Sequence, residues 1–260
     1  MKRYLLRISY DGNAFCGWQS QKEDRTVQQV IENALSEVAK KSVKITCAGR
    51  TDAGVHALRQ YAHFDFNQDM TTEQIKFALQ AKLPADVSVQ KVFTMIEDFN
   101  ARYDAISRTY KYLLTKQRTP FNRYYKSFLP KKNIRKKIIR NCLPFFLGKH
   151  DFTSFSKYNP NLNNCFCEIT QLNFKDTGTE YIFTISANRF LHYMVRRIVG
   201  TIINISHFEL KPNIIRDLIA AKDSNNNLIE TAPPQGLYLA EVEYSQKKLF
   251  CNHKNRYYFK

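Results

Sequence analysis

One loop of this sequence carries a carboxylate and a guanidinium in a setting that suits catalysis. Asp52 and Arg50 lie between Gly49 and Gly54. Glycines allow tight turns and let another molecule come close to the backbone, and enzymes often place reactive side chains on loops held by a rigid scaffold. The simpler interpretation is that Asp52 caps a turn, because Asp-x-Gly is common turn chemistry. Residue spacing by itself favours the simpler interpretation.

The segments on either side of this loop predict strands that hold it at both ends. Apolar residues alternate over residues 43–47 before the loop and again over residues 60–66 after it. A hairpin would join such strands with about two to five residues, and this connection is roughly twice that length. Connections longer than a simple turn are often functional.

Residues 1–100 predict the element order β-α-β-β-α-β. Strands are expected at residues 3–10 and 87–92, in addition to the two beside the loop. Thr26 suits the N-cap of a first helix with apolar residues at i, i+3 and i+4, and Thr72 opens a second. This order is typical of a ferredoxin-like unit, an antiparallel sheet with two helices on one face.

The second half repeats this order without repeating the sequence, so the predicted fold class is α+β with two ferredoxin-like halves. The expected elements are a strand at 108–114, a helix near 133–146, a hairpin formed by 168–176 and 180–187, helices at 189–206 and 213–221, and a strand at 237–244. The predicted domains are residues 1–105 with the Asp52 loop, residues 106–246 with a basic segment, and a basic-aromatic tail at 247–260.

The net charge of +17 is concentrated in one part of the chain. Residues 101–150 contain 14 basic residues and one acidic residue, a net charge of +13. Self-repulsion makes such a cluster unhelpful to folding, and a polyanionic partner explains it. A solvated helix face or anionic lipid are the alternatives, but interleaved aromatic residues favour nucleic acid. The residues expected to contact it are Arg118, Arg123, Lys126, Lys132, Arg135 and Lys136.

Other classes of protein are disfavoured. The sequence has no apolar run of 18 residues for a membrane span, and its first residues lack the features of a signal peptide. Six cysteines in a chain of 260 residues are typical of reduced thiols in the cytoplasm. Cys165 and Cys167 suggest a metal, but no further ligand pair completes a zinc set, so no metal is expected.

Motifs along nearly the whole chain resemble the TruA family of tRNA pseudouridine synthases. The resemblance centres on the run from Gly49 to Ala57 around Asp52. The other matching motifs are Tyr10-Asp11-Gly12, Phe15-Cys16-Gly17-Trp18-Gln19, Ala101-Arg102, Arg108-Thr109-Tyr110-Lys111-Tyr112, His150-Asp151-Phe152, Phe190-Leu191-His192-Tyr193-Met194-Val195-Arg196, Ile198-Val199-Gly200, Ala232-Pro233 and Gly236-Leu237-Tyr238-Leu239.

This resemblance implies a fold, an activity and a set of site residues. The sheets of the two halves would lie side by side and form a central cleft. The enzyme would be a cofactor-free homodimer that isomerises uridines 38 to 40 in the anticodon arm of tRNA. Asp52 would be the catalytic residue, with Tyr110 and Arg196 beside it. Leu237 would close the pocket, and Arg50 would enter the space that the uridine leaves.

Simpler interpretations exist for each of these side chains. Without the resemblance, Tyr110 and Leu237 pass for core residues and Arg196 for a surface or phosphate-binding arginine. The sequence leaves three alternative functions: a non-catalytic RNA-binding protein or chaperone on the same fold, a sister synthase with other uridine targets, and a metal-dependent nuclease. The nuclease is disfavoured because it would need more clustered carboxylates.

Overall fold

The computed structural model describes residues 1–130, 132–157 and 164–245. They form two compact units, one of residues 1–107 with the described residues from Leu239 on, and one of residues Arg108–Tyr238. Helices and mostly antiparallel strands confirm the α+β class. Lys131 and the tail predicted at 247–260 lie outside the described residues. None of the described helices is long and apolar enough to cross a membrane.

The first unit has the predicted β-α-β-β-α-β order. Its elements are β1 (Lys2–Tyr10), α1 (Val27–Ala39), β2 (Thr46–Cys47), β3 (His56–Phe66), α2 (Thr72–Gln80) and β4 (Val87–Met95). Strands β1 to β4 follow the order β4-β1-β3-β2, and each of these pairs is antiparallel. Strand β3 also pairs with β9 (Leu237–Tyr244), whose residues from Leu239 on belong to this unit. The order of β1 to β4 is the one expected of a ferredoxin-like unit.

The apolar residues of the predicted helix and strand patterns form the core of the first unit. Val27, Ile31 and Leu35 of α1 are fully buried, as are Leu6 and Ile8 of β1. Helix α2 begins with a capping box. The N–H of Gln74 donates to the side chain of Thr71, and the N–H of Thr71 donates to the side chain of Gln74. The buried apolar face of α1 and the buried residues of the strands hold β1 and β3 in place. They thereby also hold the loop between β2 and β3.

Strand β2 is shorter than the alternating apolar pattern predicts. Val43 and Ile45 are buried, but their backbone N–H groups donate to side chains of α1. Val43 bonds to Ser36 Oγ at 3.0 Å and Ile45 to Glu32 Oε1 at 3.1 Å. Because these donors are already satisfied by the helix, the strand pairing is confined to Thr46 and Cys47.

The second unit adds elements to the same basic order. Its elements are β5 (Ala105–Thr115), α3 (Lys136–Cys142), β6 (Gly148–Asp151), β7 (Phe166–Asp176), β8 (Glu180–Ala187), α4 (Met194–His207), α5 (Ile214–Ala221) and β9 (Leu237–Tyr244). Of β5, the residues from Arg108 on belong to this unit, and of β9 only Leu237 and Tyr238 do. The strands are ordered β5-β8-β7-β6 and pair antiparallel. Strand β6 was not expected, and β9 from Leu239 on belongs to the first unit rather than to the second half.

Two predicted helices are shorter than expected, each for a local reason. The helix predicted at 133–146 is α-helical over Lys136–Cys142 and continues as a 3₁₀ turn, Leu143–Phe146. Pro144 has no N–H for an α-helical bond. The helix predicted at 189–206 begins only at Met194, because Tyr193 has a left-handed backbone, with φ of 67°. The first five residues of the predicted helix, 189–193, are therefore not helical.

Candidate active site

The Asp52 loop turns tightly between β2 and β3. The N–H of Val55 donates to the carbonyl of Asp52 at 3.2 Å, and Gly54 has a φ of 75°. This backbone turn agrees with the simpler interpretation of the sequence, and the hydrogen bond that closes it is made by the main chain of Asp52. The Asp52 side chain is half-buried and Arg50 is exposed. Turn formation and a chemical role for the carboxylate are therefore compatible.

A second loop, between β1 and α1, clamps the Asp52 loop through hydrogen bonds. The hydroxyls of Tyr10 and Thr51 are 2.7 Å apart and buried. The N–H of Trp18 donates to the carbonyl of Thr51 at 3.0 Å, and that of Gly54 donates to the carbonyl of Phe15 at 3.2 Å. Burial raises the pKa of Tyr10, so its hydroxyl stays protonated at neutral pH. The loop is thus held on both sides of Asp52.

The two loops also touch backbone to backbone. A Cβ on Gly12 would lie 2.1 Å from the carbonyl oxygen of Val55, and one on Gly17 would lie 2.7 Å from that of Thr51. The N–H of Gly12 also donates to Nδ1 of buried His56 at 3.0 Å. No larger residue fits at either glycine without displacing the Asp52 loop. The sequence motifs around Tyr10 and Trp18 therefore have a positioning role.

The base of the loop is fixed by β3 and carries an inert thiol. Nε2 of Gln60 donates to the carbonyl of Gly49 at 2.7 Å. Burial raises the pKa of the Cys47 thiol to about 12, although Arg50 opposes this shift. Since the thiolate is the nucleophilic form of cysteine, Cys47 is unreactive at neutral pH. Asp52 remains the candidate catalytic group of this loop.

In the second unit, Tyr110 and Leu237 are both buried. Tyr110 lies on β5 opposite Ile185 of β8 and is 7% exposed. The rings of Tyr110 and Phe190 meet edge to face, with centroids 5.1 Å apart. Leu237, the first residue of β9, is 4% exposed. Strand pairing and ring contact fix the orientation of Tyr110.

Arg196 lies in the first turn of α4 and is half-buried. Its Nε donates to the carbonyl of Ala232 at 2.7 Å, and the N–H of Ala232 donates to the carbonyl of Arg196 at 3.1 Å. The guanidinium carbon is 4.8 Å from the centre of the Tyr193 ring. Both the backbone and the side chain of Arg196 are therefore fixed by neighbouring groups.

One segment, residues 230–237, ties α4 to β5. A Cβ on Gly200 of α4 would lie 2.0 Å from the carbonyl oxygen of Glu230, and one on Gly236 would lie 2.7 Å from that of Leu113. The buried hydroxyl of Tyr112 donates to the carbonyl of Pro233 at 3.0 Å and lies within hydrogen-bond distance of Ser127 Oγ, at 2.6 Å. Tyr110, Arg196 and Leu237 thus lie on one closely packed framework within the second unit.

Four of the six basic residues expected to bind nucleic acid form ion pairs within the second unit. These pairs are Lys126–Glu180 at 2.5 Å, Lys132–Glu230 at 2.8 Å, Arg135–Glu209 at 2.8 Å and Lys136–Asp176 at 3.0 Å. Asp176 also pairs with Lys116 at 2.5 Å. Hydrogen bonds from Lys116, the Gly178 N–H and Lys136 hold the pKa of Asp176 well below its usual range. Carboxylates from other parts of the unit therefore offset much of the local charge.

Arg118 and Arg123 lie on a loop that presents aromatic rings to solvent. Both arginines are exposed, and Phe121 between them is 91% exposed. The Arg123 guanidinium lies 4.1 Å from the Tyr124 ring centre and donates to the carbonyl of Pro120. The side chain of Asn122 closes the loop by accepting the N–H of residue 119 at 3.0 Å. An exposed ring between cations is a suitable surface for an RNA base.

Cys165 and Cys167, whose spacing suggests a metal but for which no metal is expected, are free thiols. Cys165 is half-buried and Cys167 is buried on β7. Burial raises the pKa of Cys167 to about 11. In the part of the chain that the structure describes, no group of three His, Cys, Asp or Glu side chains is arranged to hold a metal ion.

The structure thus distributes the predicted site residues over two frameworks. Arg50 and Asp52 lie on the clamped loop of the first unit, whereas Tyr110, Arg196 and Leu237 lie on the second unit. Sequence reasoning missed the positioning roles of Gly12, Gly17 and the hydroxyl pair. The signal was present, since two glycines flank the turn between β1 and α1.

The sequence matches a family model and many curated proteins. The model, described as tRNA pseudouridine synthase, matches residues 7–104 and 145–245. A tRNA pseudouridine synthase A of Azobacteroides pseudotrichonymphae is 39% identical over 244 residues, covering 94% of this chain and 97% of the relative. Proteins of the same name from Pseudothermotoga lettingae and Listeria monocytogenes are 39% and 37% identical. In both cases the match covers 94% of this chain and 100% of the relative. The chain therefore belongs to the tRNA pseudouridine synthase family.

Proposed function

We propose that this protein isomerises uridine to pseudouridine in tRNA, at positions 38 to 40 of the anticodon arm. Asp52 is the catalytic residue of this proposal. The observation that carries it is the clamp on the Asp52 loop, where two buried hydroxyls and two backbone contacts fix a half-buried carboxylate. Family membership supplies the reaction, and the resemblance supplies the anticodon arm.

The reaction conserves atoms and electrons. The bond between N1 of the base and C1′ of the sugar breaks, the base turns, and C5 bonds to C1′. The proton on C5 leaves and N1 gains a proton, so no redox cofactor takes part. Asp52 starts this sequence by one of three routes: attack on the base, attack on the sugar carbon, or removal of a sugar proton. Each route needs an ionised carboxylate at the start.

Arg196 is the proposed cation that keeps the carboxylate ionised. Partial burial of a carboxyl group favours its neutral form, whereas a nearby positive charge favours the ionised form. An arginine suits this role because its guanidinium stays charged and its planar fork matches a carboxylate. The bond from Arg196 to Ala232 fixes the side chain before the substrate binds.

The remaining site residues are proposed to hold the base. Tyr110 would stack on the target base and exchange a proton through its hydroxyl. Leu237 would complete the apolar wall of the pocket. Extrusion of a base from its stack costs a few kcal/mol, and Arg50, which is exposed on the same loop as Asp52, would occupy the vacated space.

Arg118 and Arg123 are the strongest candidates for RNA contact. Both are exposed and flank the exposed ring of Phe121. Lys126, Lys132, Arg135 and Lys136 are also proposed as contacts, but each has a carboxylate partner with which a phosphate must compete. The active form is proposed to be a homodimer in the cytoplasm, where the free cysteines stay reduced.

The central test replaces Asp52 by alanine or asparagine. We expect pseudouridine formation to fall at least about 1,000-fold, as when other essential catalytic groups are removed, while the Kd for tRNA stays within about twofold. Mass analysis of tRNA, with each uridine position assigned, measures the product. Asp69→Ala is the matched control, because its carboxylate is fully exposed and we expect normal activity.

This test also separates the enzyme from a non-catalytic RNA-binding protein. The binding protein would leave tRNA unmodified whether or not Asp52 is present. Product at positions outside 38 to 40 would favour the sister synthase. Substantial pseudouridine formation by both Asp52 variants would overturn the assignment of the catalytic residue.

A further inference from the structure

Tyr193 has a backbone conformation that tyrosine rarely adopts. Its φ and ψ are 67° and −2°, and the N–H of Met194 donates to the carbonyl of Leu191 at 3.1 Å. These are the values for the third residue of a type II turn, a position that strongly favours glycine. A side chain with a Cβ is strained there. Such strain persists where the surrounding structure imposes it, and it occurs often at functional sites.

The other described non-glycine residues with positive φ have an ordinary explanation. Lys40 and Lys222 are the C-caps of α1 and α5, and Glu209 follows the end of α4. Left-handed residues are common after the last turn of a helix. Tyr193 precedes a helix instead, and its bulky ring is half-buried. The usual helix-ending role therefore does not account for it.

The left-handed turn places the Tyr193 ring against two cations. The guanidinium carbon of Arg196 is 4.8 Å from the ring centre, and Nζ of Lys157 is 5.6 Å from it. The turn is itself anchored, because the N–H of Lys157 donates to the carbonyl of His192 at 3.0 Å. Both distances lie within the range of a cation–π attraction. Arg196 thus lies between the ring and the carbonyl of Ala232.

We propose that Tyr193 is a positioning residue for Arg196. The ring and the Ala232 carbonyl together restrict the rotamers of a long side chain, so the guanidinium is oriented before tRNA binds. Preorganised groups raise the rate of the chemical step because they need no reorganisation in the transition state. The strained turn is retained because it places the ring. This inference rests on the proposed role of Arg196.

Three substitutions separate the ring from the strain. Tyr193→Phe keeps both the ring and the strained backbone. Tyr193→Leu removes the ring but keeps a Cβ at the positive φ. Tyr193→Gly removes the ring and relieves the strain. Each is measured for the single-turnover rate of pseudouridine formation, the Kd for tRNA and the Tm, alongside Arg196→Ala.

A positioning role makes activity and stability diverge. We expect Tyr193→Phe to keep the wild-type rate within about twofold. Tyr193→Leu and Tyr193→Gly should both lower the rate by about 3- to 30-fold, the size of a lost cation–π contact. Their Kd for tRNA should stay within about twofold. The Tm of the glycine variant should equal or exceed that of the leucine variant, because only leucine retains the strain.

If Tyr193 has only a structural role, the single-turnover rates of the variants should follow their Tm values. The glycine variant should then recover activity. That result would overturn the inference, as would wild-type rates in both ring-less variants while Arg196→Ala is inactive. The proposed function would survive either outcome. Full activity of Arg196→Ala would instead overturn both the role of Arg196 and this inference.

A matched ring elsewhere in the second unit serves as the control. The guanidinium carbon of Arg216 is 5.1 Å from the Phe145 ring centre, a distance similar to that between Arg196 and Tyr193. Phe145→Leu therefore removes a comparable ring–cation contact. We expect it to leave the single-turnover rate unchanged. A rate loss equal to that of Tyr193→Leu would show that the assay reports general destabilisation, and would overturn the inference.

Discussion

The Asp52 loop and the basic segment at 116–136 are both polar, but they are held by different forces. The loop is fixed by a buried hydroxyl pair, backbone hydrogen bonds and direct contact with Gly12 and Gly17. Five basic side chains of the basic segment are held by ion pairs at the surface. In the Lys136–Asp176 pair, the two side chains are 51% and 14% exposed. One region depends on close packing, and the other depends on charge.

This difference matches the work that each region is proposed to do. A buried hydrogen bond cannot be broken without leaving an unsatisfied group, which costs about 1–3 kcal/mol. An exposed ion pair contributes only about 0–1 kcal/mol, so water or a phosphate can replace either partner. We infer that the catalytic carboxylate lies on the part that does not adapt, and that the cations binding RNA lie on the part that does.

The largest effect on this comparison should come from Gly12→Ala. The added Cβ would lie 2.1 Å from the carbonyl oxygen of Val55, so the Asp52 loop must move. We expect the free energy of unfolding to fall by about 1–3 kcal/mol, as in other overpacked sites. The rate of pseudouridine formation should fall at least tenfold, because displacements of about 1 Å can cost about 100-fold. Chemical denaturation and single-turnover assays measure the two effects.

Gly49→Ala is the control for this substitution. A Cβ at Gly49 would meet nothing within 4 Å, so we expect an unchanged free energy of unfolding. A Gly12→Ala protein with wild-type stability and rate would show that the loop adapts after all, and the contrast between the two regions would be lost.

Local patterns in the sequence predicted most of the fold. Helix α1 and strand β1 were found because burial follows the periods of 3.6 and 2 residues. Failures occurred where a specific contact overrides the pattern. Val43 and Ile45 alternate like a strand but bond to side chains of α1. Tyr193 lies within the predicted helix at 189–206 but has a left-handed backbone, so the helix begins after it.

The candidate site was only partly predictable for a related reason. Asp52, Tyr110 and Arg196 are expected from motifs, and nothing in their spacing along the chain places them in one site. The charge of the basic segment was visible, but its ion partners were not. Asp176 and Glu230 are about 40 and 100 residues from the lysines that they pair with, Lys136 and Lys132. Pairing across such separations depends on the folded chain.

A smaller effect should distinguish the two classes of basic residue. Arg118→Ala removes an exposed cation, whereas Lys136→Ala removes one that Asp176 already offsets. We expect Arg118→Ala to flatten the plot of log Kd for tRNA against log salt by about 0.7–0.9, the value for one phosphate contact. Lys136→Ala should change this slope by less than half as much. Equal changes in slope would show that the ion pair does not compete with RNA.

The smallest effect should come from Asp176→Asn, which removes the shared partner of Lys116 and Lys136. We expect the Kd for tRNA to fall by up to about fivefold, because an exposed ion pair is weak and its loss frees both lysines for phosphate. Binding is measured at low salt, where screening is weakest. An unchanged or weaker affinity would show that both lysines are structural.

The same substitution should also lower stability, with a pH dependence whose sign is set by Asp176. Hydrogen bonds from Lys116, the Gly178 N–H and Lys136 hold the pKa of Asp176 below its ordinary value. The contribution of the ionised carboxylate is therefore present above about pH 4, the unfolded-state pKa, and is lost as pH falls through the lower folded-state pKa. At pH 7 the wild-type protein should have a higher Tm than the Asp176→Asn variant. The two Tm values should converge in strong acid. A Tm difference that persists unchanged into acid would mean that the asparagine disturbs the hairpin turn at Gly178 rather than the ion pairs.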